Sequence, residues 1–139
     1  VASIREKELK EDTLVYNANM TEMKPEIGHQ LPIEMYREGY EYYVETHFHP
    51  NSHSCFLQRN LMDLMAYDPV QFMYLIDQPL LMIVGDLADT KYMSEQAFEL
   101  AITTKDKELY YLKEATHIQT YYKENVVKEA IEKLDLFYK

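Results

Sequence analysis

Three residues in the second half of the chain have the types and spacing of acid–base chemistry. Asp86 and Asp89 lie in the stretch Gly-Asp-Leu-Ala-Asp-Thr that ends at Thr90, and His117 ends Ala-Thr-His. A carboxylate bonded to one ring nitrogen fixes a histidine's tautomer and stabilises its imidazolium form. The other nitrogen can then act as general base toward a hydroxyl nucleophile. Asp89 and His117 are 28 positions apart, enough for one crossover helix between parallel strands. The plain alternative is a loop histidine beside aspartates that cap a helix.

A third member is missing. The serines are Ser3, Ser52, Ser54 and Ser94, and none sits in Gly-x-Ser-x-Gly, the tight turn that exposes a nucleophile between strand and helix. Only three glycines, Gly28, Gly39 and Gly85, are present to build such a turn. Cys55 follows a polar loop rather than a strand, with no base beside it, and reads as a small buried hydrophobe. His47, His49 and His53 resemble a zinc-ligand spacing, but no cysteine or acid accompanies them in a zinc-site pattern. A polar surface or pocket-rim loop is the expectation there, with no metal and no cofactor.

The elements that must position Asp86, Asp89 and His117 are legible from residue 78 onward. Leu80 to Val84 is an unbroken apolar run, the pattern of a strand buried on both faces in a parallel sheet. A helix is expected from about 94 to 102, with Ser94 as its N-cap and Glu95 in its first turn, and a second strand from 108 to 113. A last helix, 124 to 138, presents Val127, Ala130, Ile131, Leu134, Phe137 and Tyr138 as one stripe. Strand, helix, strand, helix is a βαβα unit, and ligands bind at the carboxyl ends of such strands. Asp86, Asp89 and His117 all fall at those ends.

Upstream, residues 1–32 read as a short solvated helix followed by an irregular connection. Residues 33–77 read as a mostly helical, cap-like segment. Pro32 suits a first helical position, and Ile33, Tyr36, Tyr40, Tyr43 and Val44 recur at helical spacing on a core-facing or interface stripe. A helix from 56 to 66 places Leu57, Leu61, Leu64 and Met65 on one face, and Asp68-Pro69 starts a further short helix. Two strands alone leave a parallel sheet with open edges. The sheet is therefore expected to be completed by strands hidden upstream, by a longer chain, or by an oligomer formed through the open edge.

With 47% hydrophobic residues among 139, a packed core is expected. Thirteen tyrosines and no tryptophan point to rings at the core edge whose hydroxyls reach partners. A formal charge of −10 argues against nucleic acid or an anionic membrane surface as partner. The longest apolar run, Leu80 to Val84, falls far short of the ~20 residues that span a bilayer. The first residues lack a signal-peptide pattern, and a single cysteine excludes an internal disulfide; the expected location is cytoplasmic. A start at Val1 is compatible with a piece of a longer protein.

The stretch QPLLMIVGDLADTKYMSEQAFELA, followed by KELYYLKEATHIQTYYKENVVKEAIEKLDLF, resembles the C-terminal part of α/β-hydrolases. The likeness is to a bacterial branch of dienelactone-hydrolase-like and esterase-like proteins, over residues 68–138 and more loosely 33–67. The resemblance implies a partial parallel sheet, the C-terminal βαβα portion of that fold. It implies His117 as catalytic base and an acid after the first strand. Asp89, next to threonine, is the expected acid and Asp86 the second choice. It further implies a small-molecule ester or acyl substrate once a nucleophile-bearing half is supplied. The competing expectation is a non-catalytic, oligomerising relic of a hydrolase.

Overall fold

The structure, a computed structural model, describes residues 2–17, 19–52 and 54–139. The fold is mixed α/β with a two-stranded parallel sheet. It divides into two compact units, Val1–Asp68 and Pro69–Lys139. Among the described residues no helix is long and apolar enough to cross a membrane.

The first unit is helical and irregular. Helix α1 (Ala2–Glu11) ends where Asp12 takes a left-handed conformation, φ 49°. The stretch expected to be irregular contains a 3-10 turn, Met20–Glu22, and one α-turn, α2 (Pro25–Gly28). Pro25, not Pro32, occupies the first turn of a helix. Helix α3 (Glu34–Tyr40) begins later than expected and passes into a π-helix over Glu41–Thr46. The wider turn takes Tyr43 and Val44 off the 3.6-residue period of the preceding residues, and the stripe is not uniformly buried before it either. Tyr40 is 1% exposed, whereas Ile33 and Tyr36 face solvent. A 3-10 turn, Gln58–Asn60, leads into α4 (Leu61–Ala66), whose Leu61, Leu64 and Met65 are exposed rather than packed.

Side chains hold this unit together. Ser54 Oγ accepts from the Met20 amide at 2.7 Å and donates to Asn19 Oδ1 at 3.0 Å. The buried Glu8 accepts from the Val15 amide at 2.9 Å and pairs with Arg59 at 3.4 Å. Tyr16 and Leu57 form an isolated antiparallel bridge, and Gln58 Nε2 donates to the Tyr16 carbonyl at 3.0 Å.

The second unit carries the sheet. After a 3-10 segment, Pro69–Leu75, strand β1 (Leu80–Gly85) runs parallel to β2 (Lys107–Leu112), in register from Leu80 opposite Lys107 to Gly85 opposite Leu112. Helix α5 (Lys91–Leu100) makes the crossover; α6 (Gln119–Tyr122) and α7 (Glu124–Phe137) follow β2. Helix α5 starts three residues before the expected Ser94 cap. The turn in which the Lys91 amide donates to the Ala88 carbonyl runs directly into it, with no glycine or proline to delay the helix. Glu95 therefore lies mid-helix, where it accepts from the Tyr111 hydroxyl at 3.0 Å.

Burial is also less than the apolar run of β1 implied. Only Val84 and Gly85 are buried in β1, because a two-stranded sheet leaves one side of each strand unpaired. Leu112, Ala115 and Val126 form the buried cluster, with Ile83, Tyr110 and Ala130 packed against it. Val126, rather than Val127, is the deepest residue of α7, and Ile131, Leu134 and Tyr138 are exposed. Two polar contacts hold α7 to β2: Tyr110 donates to Glu129 at 2.9 Å, and Lys133 pairs with Glu108 at 2.5 Å.

Candidate functional site

Residues 86–90 leave the carboxyl end of β1, and residues 113–118 leave the carboxyl end of the adjacent β2. The two loops are joined through their backbones. The Asp86 amide donates to the Leu112 carbonyl at 3.0 Å, and the Leu87 amide donates to the Ala115 carbonyl at 3.1 Å. Within the first loop, the Ala88 amide closes a turn onto the Gly85 carbonyl at 3.1 Å, and Lys91 Nζ donates to the Asp86 carbonyl at 2.8 Å. Ala88 and Ala115 are 3% and 0% exposed, so both loops are seated by small buried residues.

Gly85 is what allows this approach. A Cβ at that position would lie 2.2 Å from the Ala115 carbonyl oxygen and 2.9 Å from its carbon. Any side chain would drive the loops apart, and the obstacle is backbone, which cannot swing aside. In the second loop Glu114 takes a left-handed conformation, φ 52°, which is uncommon for a residue other than glycine.

His117 sits in a turn with a reciprocal cap. The Gln119 amide donates to Thr116 Oγ1 at 3.3 Å, while the Thr116 amide donates to Gln119 Oε1 at 3.4 Å. The reciprocal bonds follow the pattern of a capping box, here across the turn that precedes α6, whose own N-cap is Ile118. Thr120 Oγ1 adds a bond to the His117 carbonyl at 2.7 Å. The imidazole is half-buried. Its Nδ1 lies 3.3 Å from Thr90 Oγ1, and its Nε2 lies 2.5 Å from the Tyr121 hydroxyl, with the two rings edge to face.

Among the described residues neither expected carboxylate bonds to this imidazole. Asp89 is exposed and precedes Thr90, the residue that touches His117. Asp86 is half-buried, and its Oδ1 is buried without a hydrogen-bond partner among the described residues. Thr90 and Tyr121 were not expected from the sequence. The signals for them were position beside Asp89 and, for Tyr121, a place four residues after His117, where the turn into α6 brings the two rings together.

The remaining candidates lie in the first unit. His47 stacks on Tyr42 at 4.5 Å and its Nδ1 is 2.8 Å from Thr46 Oγ1; His49 Nδ1 accepts from the Asn51 amide at 3.2 Å. His53, the third member of that spacing, lies outside the described residues. Among the described residues no group of three or more His, Cys, Asp or Glu is placed to hold a metal ion. Cys55 is half-buried rather than buried.

A mixed α/β fold with a histidine and two acids on adjacent strand ends is the class these observations define. No family model matches the sequence, and no curated protein matches it either. Among solved structures, the chain is similar to the crystal structure of hypothetical protein PA2218 from Pseudomonas aeruginosa. The similarity has a TM-score of 0.76 over 98% of this chain, at 21% sequence identity. It is a likeness of fold, and this chain spans 41% of the length of that one.

Proposed function

We propose that this chain is the acid-and-histidine portion of an α/β-hydrolase-like protein acting on a small ester or related acyl substrate. The observation that supports the reading is the locked pair of loops at the ends of β1 and β2, which brings Asp89 one residue from the hydroxyl touching His117 Nδ1. A nucleophilic serine from outside residues 1–139 attacks the acyl carbon. His117 Nε2 takes the serine proton and returns it to the leaving group, and the acid holds the Nδ1 proton. The reading requires the Asp89 carboxylate to take the place beside Nδ1 that Thr90 occupies. Without nucleophile and oxyanion hole, the chain alone performs no useful acyl transfer.

Turnover of p-nitrophenyl esters and labelling by a fluorophosphonate probe, measured on the longest gene product containing this sequence, test the proposal. The expected outcome is a labelled serine outside residues 1–139. Asp89→Asn is expected to lower kcat by about 10⁴, the effect seen when a triad acid is disabled, and Asp86→Asn to leave most activity. Undiminished activity in Asp89→Asn removes that residue from the role, and activity surviving His117→Ala overturns the mechanism.

A second reading rests on the sheet itself. Each strand pairs only with the other among the described residues, and both β1 and β2 keep an open edge. A non-catalytic chain that covers this edge with a second copy would sediment as a dimer, and no gene product containing it would take up the probe.

A further inference from the structure

Both nitrogens of His117 face hydroxyl groups. A neutral imidazole has one N–H to donate and one lone pair to accept, so the two neighbours must play opposite parts. Tyr121 Oη, at 2.5 Å from Nε2, is a phenol and the stronger donor; Thr90 Oγ1, at 3.3 Å from Nδ1, is an aliphatic alcohol that accepts as readily as it donates. The consistent assignment has Tyr121 donating to Nε2 and Nδ1–H donating to Thr90.

We infer that Tyr121 is a positioning residue for His117: its hydroxyl holds the imidazole as the Nδ1–H tautomer and covers Nε2 until a nucleophile's hydroxyl takes its place. The inference rests on the reading of His117 as general base, because Nε2 is then the nitrogen that must meet the serine. The tautomer set by Tyr121 is the one that base needs. The cover is also removable. Tyr121 is 43% exposed, so the ring has an open side toward which it can swing, and the turn that carries His117 keeps its own Thr116–Gln119 bonds when the ring leaves. A serine hydroxyl arriving at Nε2 makes the same donor–acceptor contact as the phenol. Exchange of one hydroxyl for the other therefore leaves His117 with its hydrogen bonds intact.

Long-range proton–nitrogen correlation spectra of the 139-residue chain, at a pH where the ring is neutral, report the tautomer directly. Carbethoxylation of His117 by diethyl pyrocarbonate, followed by peptide mass spectrometry, reports access to Nε2. The wild type is expected to carry its proton on Nδ1. Tyr121→Phe is expected to move the Nδ1–H to Nε2–H ratio by roughly three- to tenfold toward Nε2–H, the worth of one neutral hydrogen bond. The carbethoxylation rate is expected to rise by a similar factor. A wild-type ring protonated on Nε2 overturns the inference, and this holds even where the variant does not fold. An unchanged ratio and an unchanged rate in a folded Tyr121→Phe chain overturn it equally. Neither measurement uses ester turnover, so a failed hydrolase assay and a failed tautomer assay remain separate results.

Discussion

In residues 69–139 the loops that matter are held by backbone groups, amide to carbonyl, at the ends of two paired strands. In residues 1–68 two backbone bonds flank the Tyr16–Leu57 bridge, from the Asn17 amide to Phe56 and from the Gln58 amide to Val15, and side chains supply further ties: Ser54 to the Met20 amide and Asn19, Glu8 to the Val15 amide and Arg59, Gln58 to the Tyr16 carbonyl. The partners in the first unit stand far apart in sequence, 51 residues for Glu8 and Arg59. Backbone ties survive most substitutions because every residue except proline brings the same donor and acceptor. Side-chain ties are lost when one residue changes. The second unit should therefore be sensitive to shape at a few positions, and the first to polarity at several.

Gly85→Ala is the sharpest break of this contrast, because its new Cβ meets the Ala115 carbonyl at 2.2 Å. A loss of about 3 kcal/mol, the upper end for overpacking, is expected in urea titrations. Amide exchange at Leu87 should quicken with it, since that amide bonds to Ala115. Gly28→Ala tests the matching close approach in the first unit, where the new Cβ would meet the Tyr40 ring at 2.5 Å. A ring can tilt where a peptide group cannot, so a smaller loss of about 1–2 kcal/mol is expected from the same titration. Equal costs at the two glycines would erase the distinction drawn here.

Ser54→Ala removes one acceptor and one donor from the first unit, and about 1 kcal/mol of stability should go with them. Chemical-shift changes are expected at Asn19 and Met20, the two partners of the lost hydroxyl. The smallest effect concerns Tyr110, whose phenol is raised above its ordinary 10.0 chiefly because it donates to the Glu129 carboxylate, with burial and nearby acids adding to the shift. The folded chain holds that proton more tightly than the unfolded one. The contribution to stability is thus fully present below pH 10.0 and is lost as pH rises through the folded value. Glu129→Gln should return the Tyr110 titration toward the ordinary value, read from tyrosinate absorbance.

The same contrast explains how far the sequence could be read. Strands Leu80–Gly85 and Lys107–Leu112 and helix Glu124–Phe137 announce themselves through apolar runs and a helical period, because a sheet and its covering helix impose those patterns. The face of that helix was harder to assign. Val126 and Val127 are adjacent, and only the packing against Leu112 and Ala115 selects Val126. Nothing periodic marks Asn19, Ser54 or Glu8, whose bonds depend on where distant parts of the chain meet. At the site, the strand ends located the loops that carry Asp86, Asp89 and His117. They did not identify Thr90 and Tyr121, since hydroxyl residues are common and only geometry singles these out.

The contact between Gly85 and Ala115 separates spacing from chemistry. The distance between the two loops is set by a missing side chain on one strand and a carbonyl on the other. No side chain takes part in that contact. Asp86 and Asp89, whose side chains take no part in that contact, can then be exchanged for other acids or amides while the two loops keep their spacing. A frame of this kind leaves side chains at the loop ends free to vary one residue at a time.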